Sequence, residues 1–422
     1  MTAMTMNAKR RKAHDRLAAL PGVRSVRRPV LAGGDGGDFD LFYVRTGPNS
    51  PQPLVIIPGG PGSASIARYR GLRRRANAAG LDVIMVEHRG VGMSRHDDAG
   101  ADLPPDALNI EAAVDDIAGV LDDAEVESAV VYGTSYGTYL ASGLGVRHPD
   151  RVHAMILDSP LLSADDIDMV REATRRVLWD GDEPETAELA VKVRMLVKDG
   201  VLTPAAAQLA VGMYGLTGPD VLGRQLDLLL AGRDWLWGGI AQAAKLFFER
   251  KTPYQHEPDL VGRIGYRELN YGAVPDGLPL DPAVTFREFA TGDVDFVEEP
   301  FDLIDAMPRF AWPTVVISGG RDLTTPPAVA HRIASLIPES VLVELPTAGH
   351  SALDTRERSA LEIVKAVYAG RANELPSRSA ELDATPSELG MRMLTWAIGA
   401  AAVAESAVPA AVPRVVRRVT AS

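Results

Sequence analysis

The 422-residue sequence contains no cysteine, which excludes disulfide bonds, thiolate metal sites and a cysteine nucleophile. It also lacks an excess of basic residues. The net charge is −12, whereas proteins that bind phosphate backbones cluster lysine and arginine, so we expect no nucleic-acid partner. The N-terminus has no apolar stretch long enough for a signal peptide, which predicts a cytoplasmic location.

The segment from Met391 to Val412 is the one candidate for membrane contact. Its apolar stretch is interrupted by Glu405 and Pro409 and falls well short of the ~20 residues that a membrane span requires. We therefore expect no stable membrane insertion. The segment is interpreted as a C-terminal helix packed on the body of the protein or on a partner, with contact at a membrane surface as the alternative. The sequence does not predict the oligomeric state.

Short apolar runs alternate with helical patterns over much of the chain. The runs cover residues 39–45, 53–57, 82–86, 152–157, 313–318 and 340–345, and one further run leads into the glycine at position 133. Continuous apolar strands separated by helices are typical of a parallel sheet that is covered on both faces. The predicted fold class is therefore α/β, with a doubly wound, mostly parallel sheet.

Changes in pattern along the chain predict the domain organisation. Residues 1–37 are interpreted as a mobile N-terminal arm, and residues 38–160 and 311–370 as the α/β core. Helical signals dominate residues 161–310, which predicts an inserted helical cap, or lid, over the carboxyl ends of the strands. Residues 371–422 are interpreted as a polar linker followed by the C-terminal helix or tail.

A candidate nucleophile lies where an apolar strand meets a helix, in the pentapeptide Gly133-Thr134-Ser135-Tyr136-Gly137. A glycine on each side allows the strand and the helix to approach closely, and the tight turn between them exposes the serine hydroxyl. Ser135 is therefore predicted to be a catalytic nucleophile.

A serine nucleophile requires a base, and the base requires an orienting acid. Asp322 and His350 each follow an apolar strand, and the chain order Ser135, Asp322, His350 is that of the nucleophile-elbow fold. Asp158, also at a strand end, is the alternative acid.

The developing oxyanion requires hydrogen-bond donors. The N–H of Tyr136, directly after the nucleophile, is one candidate. The second candidate is the N–H of Gly60 in Pro58-Gly59-Gly60-Pro61-Gly62, because Pro61 has no N–H.

Together these motifs resemble those of the α/β-hydrolase enzymes of the proline iminopeptidase and tripeptidyl aminopeptidase family. The resemblance rests on residues 58–62, on Glu87-His88-Arg89-Gly90-Val91-Gly92-Met93-Ser94, on residues 133–137, on Gly319-Gly320-Arg321-Asp322 and on Gly349-His350. It implies release of an N-terminal residue, often proline, from a small peptide through an acyl-enzyme, without a metal or cofactor. It also implies that a lid glutamate binds the free α-amine, and Glu268 is similar in position to such a glutamate.

Three positions differ from the family pattern: Pro58 replaces histidine, Glu87 replaces aspartate, and Tyr136 replaces the tryptophan of the iminopeptidases, as in tripeptidyl-type members. An esterase or amidase that acts on small apolar acyl compounds is therefore the alternative enzyme. The aromatic residues of the insertion would then contact the acyl group; they are Trp235, Trp237, Phe247 and Phe248. A non-enzymatic ligand-binding protein is the third hypothesis, which intact triad candidates disfavour.

Overall fold

The sheet contains eight strands in the part of the chain that the structure describes. A computed structural model describes residues 6–34, 36–249, 251–290, 292 and 295–407, with all their side chains except those of residues 205 and 247–249. The strands are β1 (Val23–Pro29), β2 (Asp38–Thr46), β3 (Leu54–Ile57), β4 (Val83–Val86), β5 (Ala129–Thr134), β6 (Val152–Asp158), β7 (Thr314–Gly319) and β8 (Ser340–Leu345).

The strand order is β1-β2-β4-β3-β5-β6-β7-β8. The neighbours from β4 to β8 pair in parallel, whereas β1 and β2 are antiparallel to their neighbours. The strands that the apolar runs predicted are all present, and strands β3, β5 and β7 are buried along their whole length. The predicted fold class, a doubly wound and mostly parallel sheet, is confirmed.

Helices cover both faces of the sheet and form the region between β6 and β7. They are α1 (Ala8–Ala18), α2 (Arg70–Ala78), α3 (Ile110–Asp123), α4 (Tyr136–Arg147), α5 (Asp166–Arg175), α6 (Pro184–Lys198), α7 (Pro204–Leu230), α8 (Trp235–Glu249), α9 (Pro258–Leu269), α10 (Pro282–Phe289), α11 (Leu303–Ala306), α12 (Pro327–Leu336), α13 (Ala352–Thr355), α14 (Glu357–Tyr368), α15 (Ser379–Ala384) and α16 (Leu389–Ala407). One apolar core lies between the sheet and α3, α4 and α12, and the other lies on the opposite face against α2 and α14.

The described residues between β6 and β7 contain helices α5 to α11 and no strand. Their own apolar core includes residues of α6, α7 and α8. Helix α7 is kinked at Gly218, which has a φ of 78° and directly precedes Pro219. The kink lies over Arg321, because a Cβ atom on Gly218 would be 2.6 Å from Arg321 Nη1. This helical region therefore lies directly over the loop that follows β7.

The N-terminal segment differs from the predicted mobile arm over residues 1–37. Helix α1 is anchored by Arg10, whose side chain is buried and forms an ion pair with buried Glu257 at 2.5 Å. Strand β1 pairs with β2 along its whole length. The prediction was wrong for the described part of this segment, because the partner that fixes Arg10 is 247 residues away in sequence.

The polar linker predicted at the start of residues 371–422 is instead folded against the core. Leu375 and Leu382 are buried in the apolar core beside α14, and Ser359 donates a hydrogen bond to the carbonyl of Leu382 at 2.8 Å. Helix α16 then packs on the helical region through Ile398 and Ala402. No helix in the described part of the chain combines the length and apolar character needed to cross a membrane.

Candidate active site

The backbone at Ser135 is strained, and the flanking glycines explain how the strain is accommodated. Ser135 lies between β5 and α4 with φ 52° and ψ −126°, which non-glycine residues rarely adopt. A Cβ atom on Gly133 would lie 2.3 Å from the Gly137 carbonyl oxygen, and one on Gly137 would lie 2.1 Å from the carbonyl oxygen of Ile57. Only glycine therefore permits this strand, turn and helix to meet.

Asp322 and His350 form a hydrogen-bonded carboxylate–imidazole pair. His350 Nδ1 lies 2.9 Å from Asp322 Oδ2. The buried Asp322 carboxylate also accepts the N–H groups of Thr324 and Thr325 at 2.9 Å each and the Thr325 hydroxyl at 2.8 Å. These bonds fix the carboxylate and leave His350 Nε2 available for a substrate or nucleophile.

The ion-pair geometry shifts both pKa values. Burial alone would lower the pKa of His350, but attraction by Asp322 and the hydrogen bond to it outweigh burial, so this pKa is raised. Burial alone would raise the pKa of Asp322, but the charge of His350 and the hydrogen bonds outweigh it, so this pKa is lowered. The pair therefore favours a charged aspartate beside a readily protonated histidine, as a general base requires.

Hydrogen bonds between the neighbours of Ser135 and His350 bring the two loops together. Thr134 donates its hydroxyl to Ser351 Oγ at 3.0 Å, and the Ser351 N–H donates to Ser159 Oγ at 2.9 Å. The residue before Ser135 is therefore bonded to the residue after His350. The structure thus gathers the three predicted triad residues at the carboxyl ends of β5, β7 and β8.

Asp158, the alternative acid, has a different environment. Its two carboxylate oxygens accept the N–H groups of Ala352 and Leu353 at 2.9 and 2.8 Å, and Tyr132 donates its hydroxyl at 3.0 Å. The carboxylate therefore holds the first turn of α13, directly after His350, and Asp322 is the carboxylate bonded to the histidine ring.

The predicted oxyanion donors lie on two sides of Ser135. Tyr136 is the first residue of α4, where a helix leaves backbone N–H groups without partners in the helix. On the other side, a Cβ atom on Gly59 would lie 3.1 Å from Ser135 Cβ, so the loop containing Gly60 closes on the serine. The Tyr136 ring is buried, and its hydroxyl lies 3.1 Å from His88 Nε2.

Glu268, the predicted amine ligand, lies at the end of α9 near helix α4. Its carboxylate accepts the N–H of Ile110, the first residue of α3, at 2.9 Å. Burial raises the pKa of Glu268 to about 7. Burial also raises the pKa of Tyr136, and the charge of Glu268 contributes next. Glu268 is therefore within electrostatic range of Tyr136, the residue that follows Ser135.

Two further carboxyl groups, Asp166 and Glu299, were missed in the sequence. Asp166 Oδ2 accepts the N–H of Leu162 at 2.7 Å, whereas buried Oδ1 accepts no hydrogen bond from the described residues. Burial raises the pKa of Asp166 to about 7, and Glu299 adds to this rise. Tyr139 donates its hydroxyl to Glu299 Oε1 at 3.4 Å. No local pattern marks either residue, because only the fold buries them.

The four aromatic residues proposed for acyl contact do not share one environment. Trp237 is buried in the core of the helical region, whereas Trp235 is 71% exposed. The side chains of Phe247 and Phe248 lie outside the described part of the chain.

The described residues contain no group of three or more histidine or acidic side chains arranged to hold a metal ion.

Comparison with known protein families supports the fold that the strand order and the turn at Ser135 indicate. Residues 52–186 match the family described as the alpha/beta hydrolase fold. The protein has the α/β-hydrolase fold.

Individual relatives of this fold share limited identity with the chain. It is 37% identical over 107 residues to 2-hydroxymuconate semialdehyde hydrolase of Pseudomonas sp. (strain CF600), a match that spans 25% of this chain and 35% of that protein. It is 24% identical over 332 residues to a probable proline iminopeptidase of Leptolyngbya boryana, and this match spans 76% of this chain and 88% of that protein.

A solved structure supports the α/β-hydrolase fold at the level of architecture. The structure of proline iminopeptidase from Mycobacterium smegmatis superposes with a TM-score of 0.50 and 18% identity, covering 85% of this chain and 100% of that one. At this identity the likeness concerns the fold and not the substrate.

Proposed function

We propose that the protein is a serine hydrolase that releases N-terminal residues from small peptides. Ser135 Oγ attacks the carbonyl carbon of the scissile bond while His350 accepts the hydroxyl proton, and Asp322 orients the imidazolium. The N–H groups of Tyr136 and Gly60 stabilise the oxyanion. His350 then gives the proton to the leaving amine, and a water molecule activated by His350 hydrolyses the acyl-enzyme ester and regenerates Ser135.

The unsatisfied carboxylate oxygen of Asp166 is the observation that carries the aminopeptidase assignment. Ionising a buried carboxyl group that has an oxygen without a partner is costly, and a cationic ligand removes that cost. Burial raises the pKa values of Asp166, Glu268 and Glu299, and for Glu268 it outweighs the opposing charges of Arg267 and Arg263. Glu268 and Glu299 lie near the helix that begins after Ser135, where both contribute to raising the pKa of Tyr139, and the charge of Glu299 in turn contributes to raising the pKa of Asp166. A free α-amine is the cation that an N-terminal residue supplies.

An esterase or amidase for uncharged acyl compounds is the second candidate. The pKa values of Glu268 and Asp166 are both raised to about 7, so near neutral pH these groups are protonated about half of the time and present reduced negative charge. An uncharged acyl group would then be compatible with the same carboxyl groups.

Two matched substrate panels separate the candidates. Aminoacyl arylamides with free or acetylated amines and p-nitrophenyl esters of increasing chain length are assayed with wild type and Ser135→Ala. We expect Ser135-dependent cleavage of the free-amine arylamides and loss of cleavage on acetylation. Cleavage of the esters alone would support the esterase candidate, and full activity of Ser135→Ala would refute the mechanism.

Variants then test the amine site. Glu268→Gln and Asp166→Asn should each raise KM for the free-amine arylamides about tenfold or more, with little change for any esters cleaved, because one charge-assisted contact is worth roughly 1.5–3 kcal/mol. The matched control is Glu288→Gln on the exposed side of α10. Equal effects on both panels, or an equal effect of the control, would contradict the assignment.

A further inference from the structure

Asp158 bonds to both of the loops that carry Ser135 and His350. It is the last residue of β6 and is fully buried. Its carbonyl oxygen accepts the N–H of Ser135 at 2.9 Å. Its carboxylate accepts the N–H groups of Ala352 and Leu353, the first two residues of α13, at 2.9 and 2.8 Å. One residue therefore fixes the backbone at the predicted nucleophile and the backbone just after the predicted base.

The backbone between His350 and α13 is strained and depends on these bonds. Ser351 has φ 62° and ψ 96°, which a non-glycine residue rarely adopts. Such a conformation persists only where the surrounding contacts determine it. The N–H of Ser351 donates to Ser159 Oγ, and the next two N–H groups donate to the Asp158 carboxylate. The end of β6 therefore holds three successive N–H groups, and with them the loop that carries His350.

The charge of Asp158 also acts on the imidazole of His350. Burial would lower the pKa of this imidazole, whereas Asp322, Asp158 and Asp354 raise it, in that order. Asp322 bonds to the ring from the loop after β7, whereas Asp354 lies on α13 and is exposed. The cation next to Asp322 in the sequence, Arg321, directs its guanidinium towards the kink of α7. Asp158 is therefore a second buried carboxyl group that acts on this ring.

The hydrogen bonds of Asp158 are those of an ionised carboxyl group. Oδ1 accepts the N–H of Ala352, and Oδ2 accepts the N–H of Leu353 and the hydroxyl of Tyr132 at 3.0 Å. A carboxylate accepts on both oxygens, whereas a protonated carboxyl group must also donate. Burial raises the pKa of Asp158, but these bonds and the charge of His350 oppose the rise. The bonds therefore favour a negative charge near His350 that solvent does not screen.

We propose that Asp158 is a positioning residue for His350. Its backbone and carboxylate hold the loops of Ser135 and His350 against each other, and its charge stabilises the imidazolium that forms when His350 accepts the hydroxyl proton. The inference rests on the proposed serine-hydrolase function and adds a second carboxylate to it. Asp322 bonds to the ring itself, whereas Asp158 acts through the first turn of α13 and through its charge. A displaced base lowers the rate of the reaction with little effect on substrate binding.

Steady-state kinetics of Asp158→Asn test the positioning role. Asparagine keeps the size of the side chain but has one acceptor oxygen, so one N–H of α13 loses its partner. With any substrate that wild type cleaves in a Ser135-dependent manner, we expect kcat to fall about 10–100-fold and KM to stay within about twofold. Asp322→Asn should lower kcat further. A loss in Asp158→Asn as large as that in Asp322→Asn would make Asp158 the orienting acid, and wild-type kcat would remove its role; either result overturns the proposal.

Titration of His350 by NMR tests the charge without any substrate. The imidazole signals of wild type and Asp158→Asn are followed against pH, and His350→Gln assigns the signal. We expect the pKa of His350 to fall by roughly half a pH unit or more in Asp158→Asn. The acidic limb of kcat/KM should move to lower pH with it, because His350 must be unprotonated to act as a base. An unchanged pKa would overturn the proposal, and this readout stands even where full activity of Ser135→Ala refutes the proposed function.

Asp354→Asn is the matched control for the titration. It removes a carboxylate that also raises the pKa of His350, but this carboxylate is exposed. Solvent and salt screen an exposed charge, so the pKa of His350 should shift less than in Asp158→Asn. An equal or larger shift in Asp354→Asn would contradict the special role of the buried carboxylate.

Two further variants separate positioning from a contribution to stability alone. Tyr132→Phe removes one hydrogen bond to Asp158 but keeps its charge and its bonds to α13, so it should lower the thermal midpoint and leave kcat and the pKa of His350 close to wild type. Loss of kcat in proportion to loss of thermal midpoint in both Tyr132→Phe and Asp158→Asn would assign Asp158 a structural role only. Ser159→Ala keeps the test decisive if Asp158→Asn does not fold. It removes the acceptor of the Ser351 N–H without removing a charge, so kcat should fall several-fold, and wild-type kcat would refute the positioning of this loop.

Discussion

The buried ion pair between Arg10 and Glu257 should be among the most sensitive points of the fold. Both side chains are buried, with exposures of 3% and 0%, and the guanidinium also donates to the carbonyl of Gly92 at 2.9 Å. Glu257 in turn accepts the N–H of Gly92 at 2.7 Å. Arg10→Met keeps an apolar stem of similar length but leaves Glu257 buried without its cation.

Breaking a buried pair from one side costs about 3–5 kcal/mol, which is a large fraction of the ~5–15 kcal/mol that stabilises a typical domain. We therefore expect Arg10→Met to lower the free energy of unfolding by that amount, measured by urea denaturation with far-UV circular dichroism. Hydrolysis should also weaken, because the N–H of Glu257 donates to the Gly62 carbonyl at 2.8 Å, in the loop that carries Gly60.

Arg27→Met is the matched control from the same segment. Arg27 forms a two-point ion pair with Asp98 at 2.7 and 2.8 Å, but both side chains are exposed. Solvent and salt screen such a pair, so its loss should leave the urea midpoint close to that of wild type. Similar midpoints for Arg10→Met and wild type would refute the reasoning. The double variant with Glu257→Gln should recover part of the loss, because it removes the orphaned charge.

Three further predictions follow from the site. Asp322→Asn should lower kcat about 10⁴-fold and shift the acidic limb of the pH–rate profile to lower pH, because the raised pKa of His350 depends on that carboxylate; an unchanged limb would contradict this. Gly137→Ala should abolish folding or activity, whereas Gly212→Ala, with open space around it, should stabilise α7 by about 0.5–1 kcal/mol in thermal unfolding. The pKa of Glu268 is about 7 in the folded state and 4.5 ordinarily, so the folded state loses stability as the pH rises from 4.5 to about 7. Glu268→Gln should flatten this part of the profile of unfolding free energy against pH, and an unchanged slope would contradict the burial of Glu268.

The gathering of Ser135, Asp322 and His350 could be predicted because it depends on a general property of parallel sheets. The carboxyl ends of β5, β7 and β8 lie at the same edge, so residues just after these strands meet there. The strands themselves are short continuous apolar runs, which a sheet buried on both faces requires. Neither step needs knowledge of a distant partner.

The terminal segments could not be predicted for the opposite reason. Arg10 is one of several basic residues in a polar stretch, and only its pairing with Glu257 buries it. Leu375 and Leu382 are isolated apolar residues among polar ones, so their sequence resembles a linker although both are buried. In each case the decisive contact lies far along the chain, and local composition carries no signal of it.

Local sequence patterns could not predict the raised pKa values of Asp166 and Glu299 either. Desolvation depends on what packs around a carboxyl group, and here the packing comes from both the core and the helical region. Glu268 was found only through the resemblance, and its hydrogen bond to the N–H of Ile110 was not foreseen.

The contact between Gly215 of α7 and Gly349 limits the routes to the neighbouring His350. A Cβ atom on Gly349 would lie 2.4 Å from the Gly215 carbonyl oxygen, so the two backbones touch without any side chain between them. No part of a substrate can pass between them, and traffic to and from Ser135 must use other directions. A methyl group added at Gly349 would clash with the Gly215 carbonyl and push α7 away from the loop that carries His350. The two glycines therefore determine how closely the helical region packs on this loop.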